Sequence, residues 1–347
     1  MSYQRSFEKV LQVGIVGVGS HCYRNILPAM NYLPVHIRAV CDINANLAAA
    51  TARQYGCESW YTGTAEMYEK EQLDAVFLCV SPQLHPRLTC EALDAGVHVW
   101  LEKPVSMRSA EVDDMIGHRR DRVVVVGYKK AFMPATQKAL EIIHSDTYGH
   151  LRSILAVYRM NLPVNGQEVL ENRIATDMLL NGCHPLSLML ATGGAVKAVT
   201  AIRSEKDSGI IILEYANGVI GNFHLASGTH AGMPVESYSF FGDGWHLNID
   251  NCCEVKLERG IPFDYGRTTS YLPEGDDSGA VVWRPQNGLA TLENKALFTQ
   301  GIYNELMYFC TCVLDNKPAV QGSLEFAREV MRVYEACLLS NGKRIEI

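Results

Sequence analysis

No Cys-x-x-Cys pair occurs among the 11 cysteines, so nothing has the spacing of a zinc ribbon and no metal site is expected. Cys252 and Cys253 are adjacent, and Cys310 and Cys312 are one residue apart. Neither spacing is the framework of a small disulfide-stapled fold; reduced, mostly buried thiols are expected. No uninterrupted apolar run approaches the ~18 residues of a membrane helix. The opening stretch MSYQRSFEKV lacks the apolar core of a secretion signal, which sets the expectation of a cytoplasmic protein with no membrane partner. Positive charge is scarce too. Lys and Arg number 31 against 38 Asp and Glu, a net charge of −7, which argues against a general nucleic-acid binder with a basic face. There is no internal repeat and no low-complexity tract.

What remains is ordinary globular composition, 48% apolar and 20% charged. At 347 residues two domains are expected, because single cores seldom grow past roughly 250–300 residues. Short apolar runs alternate with helical ones over the first third. Strands are predicted at 10–16, 36–43, 73–82, 97–104 and 122–128, with helices after 17, over 44–55, 85–96 and 109–120. That alternation predicts a parallel, doubly wound sheet in an α/β domain spanning residues 1–127. The pattern then changes. A helix is predicted over AFMPATQKALEIIHS, a longer strand over LRSILAVYRM, and a hairpin turning at Asn217-Gly218. Further strands cover SYSFFGDGWHLNIDN and EVKLERG, and helices lie near 298–315 and 323–340. Residues 128–347 are therefore expected to form an α+β domain with a largely antiparallel open sheet. Residues 262–296, rich in Gly, Pro and charge, are predicted to be a long loop.

Gly17 and Gly19 directly follow the first strand. Gly17 permits a tight turn, and Gly19 lets the backbone approach a pyrophosphate held at a helix N-terminus. The third glycine slot holds Cys22, and a lone Gly-x-Gly is weak, since many strand–helix turns use glycine. Asp42 ends the second strand about 20 residues on, where an acid binds adenosine ribose hydroxyls. Alone, it reads equally as a helix cap. The three residues together favour a dinucleotide. An acid at this point repels a 2′-phosphate, so NAD is expected rather than NADP.

The stretch FLCVSPQLHPRLTCEALDAGVHVWLEKPVS resembles the Gfo/Idh/MocA family of NAD(P)-dependent oxidoreductases. The resemblance runs over nearly the whole chain. It is carried by Glu102-Lys103-Pro104, by Ser81, Pro82 and His85, by VGYKKAF at 126–132 and by NGCHPLSLML at 181–190. It implies a Rossmann domain joined to an α/β domain with an open sheet, and chemistry at a carbon of a sugar, inositol or sugar nucleotide. The cofactor set it implies comprises Gly17, Gly19, Ser20, His21, Asp42, Ser81, Pro82, His85, Glu102 and Lys103. Lys103 is implied at the junction of nicotinamide and substrate. That suits hydride chemistry, which needs a base for the hydroxyl proton and a cation near the developing oxyanion.

His184 matches the family's substrate-domain histidine, a common general base; a hydrogen-bonded structural histidine is the competing reading. The family often has an Asp four residues before this histidine and another three after it. Here those positions are Leu180 and Ser187. On a continuous helix Asp177, Asn181 and His184 would share a face, so that Asn181 orients His184. Asp177 either replaces the missing carboxylate or caps the helix. Lys129 matches a position that often faces nicotinamide and substrate, whereas Lys130 is read as solvated. Tyr158 and Arg159 are candidates to reach the cleft, although alternate residues of a strand face opposite ways. Trp283 and Arg284 are read as packing or contact residues rather than a cover for a sugar ring.

The leading expectation is an NAD-dependent dehydrogenase of a sugar or polyol. An NAD-retaining hydrolase or epimerase, and a non-catalytic dinucleotide-binding regulator, are the alternatives. A homodimer or homotetramer is expected, because the strand-rich domain has no evident helical layer for one face of its sheet.

Overall fold

The computed structural model describes residues 6–205, 208–260, 266–267, 279–284 and 296–347. Six strands form the first sheet: β1 (Leu11–Val16), β2 (Val35–Cys41), β3 (Ser59–Tyr61), β4 (Ala75–Leu78), β5 (His98–Glu102) and β6 (Val124–Gly127). Their order is β3-β2-β1-β4-β5-β6, and every pairing is parallel. All residues of β4 and β6 are buried, as expected where helices cover both faces. The sequence reading found five of these strands and missed β3. With three residues, none fully buried, at the sheet edge, β3 has no apolar run to reveal it.

Among the described residues the second sheet has nine strands: β7 (Leu151–Tyr158), β8 (Val196–Arg203), β9 (Gly209–Tyr215), β10 (Ile220–Leu225), β11 (Ser237–Gly242), β12 (Trp245–Asp250), β13 (Glu254–Arg259), β14 (Ala280–Trp283) and β15 (Ile345–Glu346). Their order is β14-β13-β12-β11-β7-β10-β9-β8-β15, antiparallel throughout except for β7 beside β10. The β9–β10 hairpin turns where expected, with Gly218 at φ +89° and the Tyr215 N–H donating to the Val219 carbonyl. The predicted loop at 262–296 lies largely outside the described residues, but Ala280–Trp283 within it is an edge strand on β13.

Alternation along β11 and β12 puts Tyr238, Phe240, Leu247 and Ile249 on the buried face, the face where Pro134–Ile143 packs on β12 and Cys183–Gly193 on β7. Ile202, Ile220 and Phe241 remain exposed on the opposite face. The helix predicted over 131–145 is two pieces, Lys129–Phe132 and Pro134–Ile143. Met133 between them is extended (φ −54°, ψ 141°), because a residue before proline disfavours helical geometry.

The last two long helices bring the sheets together. Ile302–Leu314 packs on β5 and β6, and Leu324–Ser340 packs on both β8 and Ser109–Arg119. Glu335 on the latter accepts from the Arg108 side chain (2.9 Å) and the Ser109 backbone N–H (2.8 Å). Residues far apart in sequence therefore meet at the carboxyl ends of the parallel strands, where such sheets bind ligands.

Candidate active site

A cleft of about 550 Å³ opens beyond the carboxyl ends of β1, β2 and β4, lined by Gly17, Gly19, Asp42, Thr64, Ser81 and Arg87. Gly17 has φ +82°, and a Cβ there would lie 2.6 Å from the Cys79 carbonyl oxygen, so no other residue fits without moving the chain. Gly19 faces open space. The helix that follows begins at Ser20, and its first N–H groups have no intrahelical acceptor. The turn and the helix start together leave an open cradle with free N–H donors, the kind of site that suits an anionic group. Asp42 fixes its shape: one carboxylate oxygen accepts from the Val18 N–H (3.0 Å), the other from the Asn44 N–H (2.9 Å). Each oxygen keeps a lone pair for a ribose hydroxyl. A cap at this position exists as well, but it is Asn44, whose side chain accepts from Leu47.

The other expected cofactor residues divide into two groups. Ser81 lines the cleft, whereas Ser20, His21, Pro82, His85 and Glu102 do not. His85 is 0% exposed, and its Nδ1 donates to the Pro104 carbonyl at 2.8 Å. Burial pushes its pKa down to about 4, so the ring is a neutral brace between the helix after β4 and the Glu102-Lys103-Pro104 turn. The Lys103–Pro104 bond in that turn is cis. Asn25 donates to His21 Nδ1 at 3.1 Å. The proton therefore sits on His21 Nε2, which donates to Glu102 at 2.7 Å. The second Glu102 oxygen accepts from the Lys103 N–H at 3.2 Å.

Lys103 reaches across to the second domain, where its ammonium donates to the Leu180 carbonyl at 2.9 Å. His184 is 6% exposed. Burial above all, then the charges of Lys103, Lys129 and Lys130, holds its pKa well below the usual histidine value. The ring is neutral, and its buried Nδ1 has no hydrogen-bond partner among the described residues.

The expected stripe of Asp177, Asn181 and His184 does not form. The helix stops at Leu180, and a second one, Cys183–Gly193, carries His184. Asn181 gives its amide to Asp177 at 2.6 Å, not to His184. Asp177 is not the cap either. Thr176 caps the helix, accepting from the Leu179 N–H, and Asp177 takes the first helical position. Asp177 and Asn181 instead line a second cleft of about 360 Å³ with Tyr158, Arg159, Glu236 and Asn251. The Tyr158 hydroxyl is pushed up to about 12 by burial and then by the Glu236 charge. Arg159 turns its Nε to the Thr229 carbonyl.

Lys130 corrects the sequence reading. It is not solvated but 6% exposed, donating to Glu236 (2.8 Å) and Cys252 (2.7 Å). Burial alone lowers its pKa, but Glu236 and Cys252 outweigh burial and the net shift is upward. Lys129 donates to Gln300 at 2.7 Å, and burial followed by the Lys130 charge lowers its pKa. Trp283 packs under the Lys138 ammonium, 5.1 Å from the ring centre, and Arg284 pairs with Glu254 at 2.7 Å.

Sequence reasoning missed Glu236, Gln300 and Glu305. Glu305 left a signal, for it falls on the apolar stripe of Ile302, Leu306 and Phe309.

A glycine cradle, an acid at the end of β2, and a lysine and neutral histidine meeting from two domains define a dinucleotide-fold oxidoreductase. Residues 11–130 match the oxidoreductase family with an NAD-binding Rossmann fold, and residues 136–260 match the GFO/IDH/MocA C-terminal domain. The chain belongs to the GFO/IDH/MocA family of NAD-binding oxidoreductases. It is 26% identical over 251 residues to a dTDP-3,4-didehydro-2,6-dideoxy-alpha-D-glucose 3-reductase of Streptomyces antibioticus, covering 69% of this chain and 75% of that one. It is 23% identical over 253 residues to an inositol 2-dehydrogenase of Corynebacterium glutamicum, covering 68% and 73%. In fold it is similar to a levoglucosan dehydrogenase solved with NADH and L-sorbose, at TM-score 0.80, 17% identity and coverage of 98% and 99%. It is also similar to myo-inositol 2-dehydrogenase from Lactobacillus plantarum, at TM-score 0.72, 21% identity and coverage of 98% and 100%.

Proposed function

We propose that this protein is an NAD-dependent dehydrogenase that interconverts a secondary alcohol and a ketone on a sugar, polyol or sugar derivative. The observation that carries the reading is the meeting of Lys103 with the Leu180–His184 segment, beside the dinucleotide cradle. Gly17, Gly19 and Ser20 are assigned to the pyrophosphate, Asp42 to the ribose hydroxyls and Ser81 to the cleft wall. NAD, when bound, supplies the hydride acceptor or donor. Asp42 disfavours a 2′-phosphate by charge, so NAD is preferred over NADP.

In the oxidising direction, His184 takes the hydroxyl proton. Its ring is neutral, so one nitrogen has a lone pair free for that proton. Nε2 is assigned to the proton; Nδ1, where an orienting carboxylate would stand, has no partner among the described residues. Lys103 donates to the same oxygen and stabilises the developing alkoxide. Its bond to the Leu180 carbonyl fixes the ammonium without neutralising it. Asp177, Asn181, Tyr158 and Glu236 offer carboxylate, amide and phenol groups for the remaining hydroxyls of a polyol. Lys129 stands behind this set as a further cation.

Residues 1–127 are assigned to cofactor binding and 128–347 to substrate binding and assembly. A cytoplasmic homodimer or homotetramer joined through the open sheet face completes the reading. A screen of sugars, polyols and inositols with NAD and NADP, followed as absorbance of the reduced cofactor, tests it. NADH formed from at least one polyhydroxy alcohol supports it; none from any member contradicts it.

A further inference from the structure

Glu305 takes no part in the proposed chemistry, yet it is 1% exposed and its Oε2 has no hydrogen-bond partner among the described residues. A carboxyl on an apolar helix stripe breaks the pattern that folds the helix, and such breaks gather at functional sites. Its surroundings are tightly set. Gly301, just before the helix, has φ +85°, and a side chain there would overlap the Lys129 carbonyl. Asn304 donates to the Phe132 carbonyl at 3.0 Å. The start of the helix is thus pressed onto the Lys129–Phe132 turn. On the other side lies Gly127, paired in register with Glu102. A Cβ on Gly127 would lie 2.6 Å from the Trp100 ring and 3.3 Å from Glu305 Oε1. The Glu305 carboxyl therefore sits over the ends of β5 and β6, where the chain runs on into Lys103 and Lys129. Lys130 has Glu236 as its counter-ion, whereas the hydrogen-bond partner of Lys129 is the uncharged Gln300 amide.

We propose that Glu305 is a positioning residue for the reaction: a buried carboxyl packed behind Lys103 and Lys129 that supports the Lys129 ammonium from the side opposite the substrate domain's cleft. The proposal rests on the dehydrogenase reading above. The groups that face Glu305 are Glu102 and Lys103 from the end of β5 and Lys129 from its turn; β6 contributes only Gly127 at this point. Burial first, then Glu102, pushes the Glu305 carboxyl well above its usual range, while Lys129 and Lys103 pull it down. In its ionised form the carboxylate opposes deprotonation of Lys129, whose own pKa burial and Lys130 have lowered.

Glu305→Gln keeps the shape of the protonated acid and removes the ionisation. Its KM for NAD is expected to stay unchanged, because Glu305 does not line the dinucleotide cleft. The alkaline limb of its pH–rate profile should fall by about one unit. In a Lys129→Met background the same change should produce no further shift. A readout that needs no turnover is the Cε shift of Lys129 in protein labelled with ¹³C-lysine, assigned by Lys129→Met. Titration of that lysine should move down by about one unit in Glu305→Gln. If no substrate is turned over but the lysine shift appears, the dehydrogenase reading fails and the Glu305–Lys129 coupling stands. An unchanged Lys129 titration in folded Glu305→Gln overturns the proposal, as does an unchanged alkaline limb.

Discussion

The Lys103 ammonium donates to the backbone carbonyl of Leu180 at 2.9 Å. Leu180 occupies the position where an acidic side chain is common in the family this chain resembles. The backbone here supplies the acceptor that the side chain does not. A carbonyl holds the ammonium in place but cannot take a proton from it, which is why the base is assigned to His184 in the proposed function. The two domains are joined at the point where the reaction is assigned.

Cofactor choice follows from Asp42. The unaltered protein is expected to bind NAD more tightly than NADP, as read by calorimetry. Asp42→Ser should narrow the difference by removing ribose acceptors and phosphate repulsion together. It should also loosen the glycine turn, since the Val18 and Asn44 N–H groups lose their acceptors. Tighter binding of NADP by the unaltered protein contradicts this account.

The Lys130–Glu236 pair is a stability element beneath the polar cleft. Lys130→Ala leaves Glu236 without its cation, and removing one partner of a buried pair typically costs about 3–5 kcal/mol. Urea unfolding should show that loss, and Lys130→Met with Glu236→Gln should recover part of it. A solvated Lys130 would give a change near zero.

Stability should fall as pH drops below about 6.5, the ordinary histidine value. His85 titrates near 4 and His184 well below 6.5 in the folded protein, both chiefly through burial. The unfolded chain therefore takes up protons that the native state does not, which favours unfolding at lower pH. Each histidine contributes a slope of about 1.4 kcal/mol per pH unit, for His85 down to about pH 4. Urea unfolding of unaltered protein and His85→Asn between pH 7 and 5 should show a shallower slope in the variant. Equal slopes would mean that His85 is not buried neutral.

Assembly follows from the face that carries Ile202, Ile220 and Phe241. Light scattering at micromolar concentration should find a dimer or tetramer, and Ile220→Lys should shift it toward monomer. Monomer alone, from the unaltered chain, contradicts this assignment.

Much of the framework was legible in the sequence because it rests on local signals. Apolar runs marked β1, β2, β4, β5 and β6, glycines marked the tight turns, and Asn217-Gly218 marked its hairpin. What was illegible depended on distant partners. Lys130 looks like any charged residue in a turn until β11 and the residues after β12 bring Glu236 and Cys252 to it. The Asp177–His184 stripe assumed an unbroken helix, and the break at Asn181-Gly182 redirected the Asn181 amide to Asp177. The orphaned Nδ1 of His184 is likewise a property of packing, not of spacing.

The most direct measurement is the turnover of His184→Ala, read as NADH absorbance on a polyhydroxy alcohol that the unaltered protein oxidises. Removal of a general base should lower kcat by about 10²–10⁴-fold, with NAD affinity retained by calorimetry. Unchanged turnover would contradict the account, removing His184 as the base and leaving Lys103 or a water held at that site.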